Sequence, residues 1–489
     1  MPAKERNSRK STGAMNRREF LNRGGFAAVL LAGPPCLIPA RALGADGGVP
    51  ANDRIGVGVI GTGLMGSGHV SRMAGDPGVE LLAVCDVDRS RREAALNRVR
   101  TRIASTAGGD GSPRECVMYN DYRDVLNRRD IDAVIIATPD HWHTLQAIDA
   151  AKAGKDVYCE KPVSITIEQG RQLADTVRRE GRVFQTGTQY RSIPTIREVV
   201  GFVRKGGIGR VKAVFTILDP LAGFLRGERF RPYAEYIKAD AYAKVYAPAT
   251  FSLPAEPVPD GLDWELWVGP APWHDYNRLY HINPSPGVVP WSFCEEFGAA
   301  ALTWHLSHST DVIQYAIGYE RSGPIEILHP SSGVYPTMTC KYANGTLLHF
   351  VDHWGQVKEL YHAVPADARL AGLFGGIFVG EAGWITSMST GGPIEGGPTD
   401  IWDRIKLTTR EVNIGQNNHH ANWLECIRSR QTPSSDEEIG HRSASIGHLA
   451  FIADRLGRSL KWDPVKEEFV GDDEANRFRS RAMRSPWRM

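Results

Sequence analysis

The chain has 489 residues, of which 42% are hydrophobic and 23% are charged. This length predicts two or more domains, and the composition is that of a globular protein rather than a disordered or membrane protein. The net charge of +2 is unevenly placed, because residues 1–44 carry eight Lys/Arg and two Glu and leave the remainder mildly acidic. That balance argues against a nucleic-acid partner. The seven cysteines form no CxxC pair, so they indicate neither a zinc ribbon nor a disulfide framework.

Residues 1–42 are predicted to be a cleavable export signal. The run Arg17-Arg18-Glu19-Phe20-Leu21 precedes a short apolar stretch at 26–32, and a small-residue site follows at 40–42. The apolar stretch is too short to span a membrane, and the paired arginines resemble the twin-arginine type of signal. A basic disordered N-terminus is the alternative, and Met15 is a second possible start. We therefore expect an extracytoplasmic, periplasmic location and no membrane attachment after cleavage.

A nucleotide-binding pattern follows the signal. The apolar run 54–60 predicts a buried strand, and it leads directly into Gly61-Thr62-Gly63-Leu64-Met65-Gly66 at the start of a helix. Gly61 allows the tight turn, Gly63 lets a pyrophosphate approach the backbone, and Gly66 lets helix and strand pack closely. The helix N-terminus supplies amide donors for phosphates.

Asp86 ends the second predicted strand, 79–84, and predicts the choice of dinucleotide. Its carboxylate can accept hydrogen bonds from ribose hydroxyls and repels a 2′-phosphate, which favours NAD over NADP. Arg89, Arg91 and Arg92 lie just beyond and keep NADP open as a less favoured alternative, although a solvated helix start explains them equally well.

Alternating strands and helices continue to residue 187. Strands are expected at 133–136, 156–159 and 183–186, and helices at 89–103, 122–127, 144–153 and 167–180. This alternation predicts a doubly wound parallel sheet, a Rossmann domain over residues 52–187, with its ligand beyond the carboxyl ends of the strands.

Residues 188–489 are predicted to form a second, α+β domain with a large open, mainly antiparallel sheet. Strands are expected at 211–218, 326–329, 337–342, 346–353 and 376–386, and C-terminal helices at 420–428 and 439–456. Asn344-Gly345 is a hairpin signal between two of the strands. An aromatic-rich segment between 219 and 293 suits sugar rings, although core packing explains most single aromatics better.

These motifs together resemble the Gfo/Idh/MocA oxidoreductase family, in its exported twin-arginine branch. The resemblance extends over nearly the whole mature chain. Its motifs are Gly61-x-Gly63-x-x-Gly66, Asp86, Thr138-Pro139-Asp140-His141-Trp142-His143, Glu160-Lys161-Pro162, Gln185-x-Gly187-x-Gln189-Tyr190-Arg191, Trp264-x-x-Trp267-x-Gly269-Pro270 and Asn422-Trp423-Leu424.

The resemblance implies roles for these residues. Lys161 takes the place of the family's lysine beside the nicotinamide and the reacting hydroxyl, where burial lowers the pKa of an amine enough for it to accept a proton. Thr138, Pro139, His143 and Glu160 are implied at the cofactor, with a packing role equally open for His143. Tyr190 and Arg191 are implied at the substrate, and His141 is expected to be structural. A homodimer or homotetramer is also implied.

One part of the family pattern is broken. The family's Asp-x-Gly-x-His-x-x-Asp run corresponds here to residues 304–311, where His308 and Asp311 match but Trp304 replaces the first Asp. His308 remains a predicted acid/base and substrate residue, and the neighbouring His305 is a candidate catalytic replacement for the carboxylate. Glu295 and Glu296 are further candidates. Two histidines are too few to specify a metal, so none is predicted.

Three functions are consistent with the sequence. The first is an exported NAD(P)-dependent oxidoreductase that moves hydride between a sugar-like or polyol-like hydroxyl and a tightly bound cofactor. The second is an NAD-dependent glycoside hydrolase or lyase that works by transient oxidation and elimination. The third is a non-catalytic sugar- or nucleotide-binding protein, against which the retained Lys161 argues.

Overall fold

The described part of the chain covers most of its length. The computed structural model describes residues 49–50, 53–106, 115–218, 252–282, 290–299, 301–388 and 392–489. The predicted signal segment lies outside these ranges, as does most of the aromatic-rich segment before residue 252. The described residues from Arg54 onward form one compact unit, and both sheets described below belong to it.

A six-stranded parallel sheet forms the N-terminal half of that unit. Its strands are β1 (Ile55–Ile60), β2 (Val79–Cys85), β3 (Val117–Tyr119), β4 (Ala133–Ile136), β5 (Asp156–Cys159) and β6 (Phe184–Thr186). They lie in the order β3-β2-β1-β4-β5-β6, and every pair is parallel. The predicted doubly wound sheet is therefore confirmed. The short edge strand β3 was missed, because Val117 and Met118 are 38% and 40% exposed and give no buried apolar run.

The connecting helices cover the faces of this sheet. They are α1 (Leu64–Met73), α2 (Arg89–Thr106), α3 (Tyr122–Leu126), α4 (Asp140–Lys152) and α5 (Ile167–Glu180). Helix α4 begins one turn before the predicted start at Thr144. Pro139 precedes it in an extended conformation and Asp140 occupies its first turn, where a carboxylate is favourable. The loop that the sequence predicted at 140–143 is therefore helical.

The C-terminal half is built on a nine-stranded sheet. Its strands are β7 (Val211–Ile217), β8 (Glu326–Leu328), β9 (Met338–Lys341), β10 (Leu347–Val351), β11 (Ile377–Gly380), β12 (Trp384–Thr386), β13 (Gly396–Gly397), β14 (Leu460–Asp463) and β15 (Glu468–Phe469). Their order is β13-β12-β11-β7-β10-β9-β8-β14-β15, and only the β7–β10 pair is parallel within the described residues. The mainly antiparallel sheet is confirmed.

One predicted strand of this sheet was wrong in its extent. The stretch 376–386 is two antiparallel strands, β11 and β12, because the chain reverses at Gly383, whose φ is +151°. A Cβ at Gly383 would lie 2.4 Å from the carbonyl oxygen of Gly397 on the neighbouring strand. The glycine therefore permits both the turn and the close approach of β13.

The C-terminal half also contains nine described α-helices. They are α6 (Pro194–Arg204), α7 (Trp264–Val268), α8 (Arg278–His281), α9 (Ser307–Ile317), α10 (Gly355–Leu360), α11 (Ile401–Ile405), α12 (His419–Ser429), α13 (Glu437–Leu456) and α14 (Asp473–Asn476). A π-helical turn, Ala301–His305, precedes α9. In the described ranges, no helix has the length and apolarity that a membrane crossing requires. Helices α12 and α13 confirm the two predicted C-terminal helices.

A largely buried ion cluster fastens α13 to α5. Arg171 of α5 donates to Glu438 at 2.8 and 2.9 Å and to Glu467 at 3.0 and 3.1 Å. Arg442 and His441 of α13 donate to the same two carboxylates. Burial raises the pKa of Glu467, but the His441 and Arg171 hydrogen bonds outweigh it and lower that pKa from 4.5 to about 2. Both carboxylates are therefore ionised in the folded protein at neutral pH.

We expect Glu438→Gln to lower the free energy of unfolding by about 3 kcal/mol, because it leaves buried guanidinium groups short of a countercharge. Denaturant unfolding at neutral pH measures this change, with the exposed Glu359→Gln as the matched control. Since the folded pKa of Glu467 is depressed, its contribution is complete above pH 4.5 and is lost as the pH falls through about 2. Equal stability of the two variants would contradict the cluster's role.

Candidate active site

One cavity lies at the carboxyl ends of the parallel strands. It encloses about 310 Å³ and is lined by residues from both halves of the compact unit. The strand order reverses between β1 and β4, and ligands of doubly wound sheets bind in the crevice at such a switch point. The residues predicted from sequence that line the cavity are Gly61, Gly63, Leu64, Met65, Asp86, Thr138, Pro139, His143, Glu160, Lys161, Tyr190 and His308.

The glycine-rich turn forms one wall of the cavity. Gly61 has a φ of +84°, and a Cβ on Gly66 would lie 1.9 Å from the carbonyl oxygen of Gly61. No other residue fits these two positions without moving backbone. Leu64 and Met65, which begin α1, are 42% and 46% exposed. The turn therefore presents a helix N-terminus and open apolar surface to a nucleotide, as the residues of a dinucleotide site should.

Asp86 is held at the cavity wall by the same turn. Its Oδ2 accepts hydrogen bonds from Thr62 N at 2.8 Å and Thr62 Oγ1 at 3.1 Å. Thr62 therefore positions the carboxylate and does not itself line the cavity. Arg91 donates to the carbonyl oxygen of His281, and Arg92 donates to Asp86 O and Asn120. Because these arginines are bound by protein acceptors, the site fits NAD better than NADP.

His143 connects two loops of the site. Its Nδ1 and Nε2 each lie 2.7 Å from a carbonyl oxygen, those of Pro162 and Thr138. Burial lowers the pKa of His143, and the two carbonyls oppose that shift. The ring lines the cavity, but its nitrogens are used within the protein, so the structure favours a positioning role over direct cofactor binding. His141 is likewise held between the carbonyls of Phe297 and Trp267.

Lys161 lies buried at the centre of the cavity wall. It is 8% exposed, its Nζ donates to the carbonyl oxygen of Trp304 at 3.0 Å, and Nζ lies 3.9 Å from the centroid of the Trp304 ring. Burial lowers the pKa of Lys161, while the carboxylates of Glu160 and Asp140 partly offset this effect. Trp304 thus faces the lysine at the sequence position where the family pattern has a carboxylate.

Asp140 is a candidate site residue to which the sequence interpretation gave no role. It lines the cavity and is 1% exposed. Its Oδ2 accepts from Ala299 N at 3.2 Å, whereas Oδ1 is buried without a hydrogen-bond partner among the described residues. Burial raises the pKa of Asp140 well above its ordinary value, against the opposing charge of Lys161. The site therefore has a carboxylate after all, contributed by the first turn of α4.

Glu160 is anchored by a buried chain of polar side chains. Its Oε1 lies 2.9 Å from His69 Nε2 and 2.8 Å from Gln189 Nε2. The other nitrogen of His69 lies 2.9 Å from Nε2 of His420 on α12. Burial raises the pKa of Glu160, but the His69 hydrogen bond and the neighbouring charges lower it overall. An ionised Glu160 next to Lys161 therefore moderates the loss of charge on the lysine.

The remaining predicted residues divide between the cavity and its support. His308 lies edge-on to Tyr190, with ring centroids 4.3 Å apart, and both line the cavity. Arg191 does not line it. This arginine is 5% exposed and forms a buried ion pair with Asp311 at 2.6 and 2.7 Å. The geometry therefore gives no support to the predicted role of Arg191 as a substrate ligand, because its donors hold α9 in place. The His305 side chain lies outside the described residues.

Two parts of the chain match models of one known protein family. The NAD-binding Rossmann-fold domain of the Gfo/Idh/MocA oxidoreductase family matches residues 55–188. The C-terminal alpha/beta domain of the same family matches residues 400–489. The first match contains the glycine-rich turn, Asp86 and Lys161, so the cavity is that of an NAD-binding Rossmann domain.

Two curated proteins with similar sequences are named as glycosyl hydrolases. A glycosyl hydrolase family 109 protein of Shewanella pealeana is 35% identical over 176 residues, which are 34% of this chain and 37% of the relative. A glycosyl hydrolase family 109 protein 1 of Shewanella sp. (strain MR-4) is 40% identical over 135 residues, which are 27% of each chain. The matched part is thus less than half of these relatives.

Solved structures show the same fold at low identity. A levoglucosan dehydrogenase in complex with NADH and levoglucosan has a TM-score of 0.51 at 17% identity and covers 83% of this chain and 99% of its own. The WlbA dehydrogenase from Bordetella pertussis in complex with NADH and UDP-GlcNAcA has a TM-score of 0.51 at 17% identity, over 84% and 98% of the two chains. These structures support the fold alone.

We expect Asp86→Ala to weaken NAD binding about 10- to 100-fold, because a charge-assisted hydrogen bond to the ligand is lost. NADP binding should weaken less, since the mutation also removes the repulsion of a 2′-phosphate. Calorimetric titration with both nucleotides measures the ratio, and Glu93→Gln, an exposed acid on α2, is the matched control. An unchanged preference between the nucleotides would show that Asp86 does not face the ribose.

Proposed function

We propose that this chain, which carries the NAD-binding and C-terminal domains of the Gfo/Idh/MocA oxidoreductase family, oxidises or reduces a hydroxyl-bearing carbon of a sugar-like or polyol-like substrate. The observation that carries the proposal is the buried Lys161, held at the switch-point cavity between Trp304 and two carboxylates. Bound NAD supplies the hydride acceptor or donor. The chain itself must move the proton, bind the substrate and exclude water.

Lys161 is the proton acceptor in this proposal. Its lowered pKa makes the neutral amine available, and the hydrogen bond to Trp304 O fixes Nζ at the cavity wall. Once protonated, the ammonium is stabilised by the Trp304 ring, an interaction of roughly 0.5–2 kcal/mol. Trp304 therefore takes over part of the role of the carboxylate that the family pattern has at this position. It stabilises the charged lysine and leaves the neutral form accessible.

Asp140 and His308 supply further acid/base groups. Asp140 has a raised pKa and a buried Oδ1 with no hydrogen-bond partner in the described part of the chain, so it can hold or accept a proton that Lys161 releases. His308 lies edge-on to Tyr190, and both side chains line the cavity. The two groups allow proton transfer at a carbon next to the oxidised one.

A second candidate function is redox-assisted glycoside cleavage, which the relatives named as glycosyl hydrolase family 109 proteins favour. Transient oxidation of a ring hydroxyl acidifies the neighbouring C–H bond, and elimination then breaks the glycosidic bond. Water addition and reduction complete the reaction without net change of the cofactor. Lys161 serves the first step in both functions, and only cleavage requires a second base.

We also propose that residues 1–42 export the folded protein with its cofactor bound. The support is the paired arginines, the short apolar stretch and the small-residue site of the sequence. Replacing Arg17 and Arg18 by lysine should retain the protein in the cytoplasm of its host, as measured by fractionation. Unchanged location would contradict twin-arginine export.

The family resemblance further supports a homodimer or homotetramer, which light scattering of the purified protein tests.

We expect Lys161→Met to lower turnover by about 10²- to 10⁴-fold while NAD binding persists, because the proton acceptor is lost. The measurement is reduction of protein-bound nicotinamide across a panel of sugars and polyols, and release of p-nitrophenol from p-nitrophenyl glycosides without added oxidant. The exposed Lys152→Met on α4 is the control. Phenol release that depends on Lys161 selects glycoside cleavage, and protein that binds no nicotinamide excludes both functions.

We expect Asp140→Asn to move the acid limb of the pH–rate profile to lower pH. Activity rises as the pH passes the pKa of Lys161, and the Asp140 carboxylate raises that pKa, so its removal lowers the pH at which the amine becomes neutral. The Asp149→Asn variant on the same helix is the matched control. An acid limb that stays in place would mean that Asp140 is not coupled to Lys161.

A further inference from the structure

A second group of reactive side chains lies outside the cavity. His274, Cys294 and Glu296 offer one nitrogen, one sulfur and one oxygen that all lie within 4.8 Å of one another. Cys294 Sγ is 3.1 Å from Glu296 Oε2, and His274 Nε2 is 3.8 Å from the same oxygen. None of the three lines the nucleotide cavity, and the proposed oxidoreduction uses none of them.

We propose that these three side chains bind one divalent transition metal ion of the zinc class. Ligands of tetrahedral zinc lie about 2.0–2.3 Å from the ion and therefore about 3.3–3.7 Å from one another. The separations of 3.1 and 3.8 Å lie just below and just above that range, and the ligand atoms of His274 and Cys294 lie within 4.8 Å of each other, so binding requires a small rearrangement of the side chains. A nitrogen, a sulfur and an oxygen donor are a set that suits zinc rather than magnesium or calcium. Water or hydroxide would complete the coordination.

The pKa shifts of Cys294 and His274 favour the neutral forms of both side chains, near the partly buried Arg481. Burial raises the pKa of Cys294 well above its ordinary value, and the adjacent Glu296 raises it further. The thiol therefore donates to the carboxylate when no metal is bound. Burial lowers the pKa of His274, which keeps the imidazole neutral, the form that binds metals. Metal binding would replace the thiol proton, which passes to solvent, and would compensate both negative charges.

A supporting residue orients the histidine. Nδ1 of His274 lies 3.2 Å from the hydroxyl of Tyr280, which also accepts a hydrogen bond from Leu253 N at 3.0 Å. A His274 Nδ1–H that donates to Tyr280 leaves the lone pair on Nε2, the nitrogen that faces Glu296. Metal-ligating histidines are generally held in this way by a partner on the other ring nitrogen.

The position of the group suggests what the metal would do. Cys294 and Glu296 precede Phe297, whose carbonyl oxygen contacts His141, and Ala299, whose amide holds Asp140. His274 belongs to the neighbouring aromatic cluster, and the centroids of the His274 and Phe297 rings lie 4.9 Å apart. A bound ion would therefore connect this aromatic cluster to the segment of the chain that positions Asp140. Because none of the three side chains lines the nucleotide cavity, we expect an ion that supports this part of the structure rather than one that takes part in the proposed oxidoreduction.

Cobalt substitution tests the proposal on the full-length protein. The protein is stripped with a chelator, titrated with Co²⁺ and monitored for the thiolate-to-cobalt charge-transfer band in the near ultraviolet. Zinc content is measured in parallel by mass spectrometry. We expect roughly one equivalent of metal per chain and a charge-transfer band that Zn²⁺ abolishes. Tyr280→Phe should weaken binding roughly 10- to 100-fold.

The variants separate this site from adventitious binding. Cys294→Ser should lose the charge-transfer band, and Glu296→Gln, at a less buried position, should weaken binding without preventing folding. Cys426→Ser removes another buried thiol and should keep both band and stoichiometry. Protein that takes up no metal, or metal uptake unchanged in Cys294→Ser and Glu296→Gln, would overturn the proposal. Because none of the three side chains lines the nucleotide cavity, failure of the metal proposal would leave the proposed oxidoreduction standing.

Discussion

The burial of one ammonium group is the constraint on which the site depends. Lys161 ends up inside the protein because β5 is buried on both faces and the chain turns immediately after Cys159. A lysine removed from water must lose its proton or acquire partners. Here its close neighbours are an aromatic ring and a carbonyl oxygen. Two carboxylates are also nearby, but neither lies within salt-bridge distance of Nζ. The result is an amine whose charge is easily removed and easily restored.

That constraint explains the arrangement of the surrounding residues. Glu160 cannot move toward the lysine side chain because His69 and Gln189 hold its Oε1. The amide of Ala299 holds Asp140 at the cavity wall. His143, in the first turns of α4, contacts the carbonyl oxygen of Pro162, the residue after Lys161. Two of these contacts, Glu160 with Gln189 and Asp140 with Ala299, join the end of the parallel sheet to the C-terminal half, whereas those with His69 and Pro162 lie within the N-terminal half. The cavity is consequently formed by the fold as a whole and not by one motif.

Local sequence patterns predicted the features that depend only on residues close together in the chain. The glycine-rich turn, Asp86 and most strands of both sheets follow from steric needs and apolar periodicity, which act within a few residues. The division of 376–386 at Gly383 depended in part on a distant strand, since the approach of β13 requires a glycine there in addition to the turn. The role of Asp140 and the assignment of Arg191 to Asp311 depended on which polar atoms find partners once buried. The meeting of His274 with Cys294 depended on tertiary packing in the same way.

The lowered pKa of Lys161 is the central physical claim, and competitive labelling tests it most directly. The protein is treated with a limiting amine-reactive reagent at a series of pH values, and mass spectrometry follows the modification of each lysine. The exposed Lys205 and Lys461 serve as internal references, and denatured protein gives the intrinsic reactivity of every site. We predict that the reactivity of Lys161 reaches its midpoint at lower pH than that of the references. A midpoint at or above theirs would contradict the account, because a lysine that keeps its charge cannot accept the proton of a substrate hydroxyl.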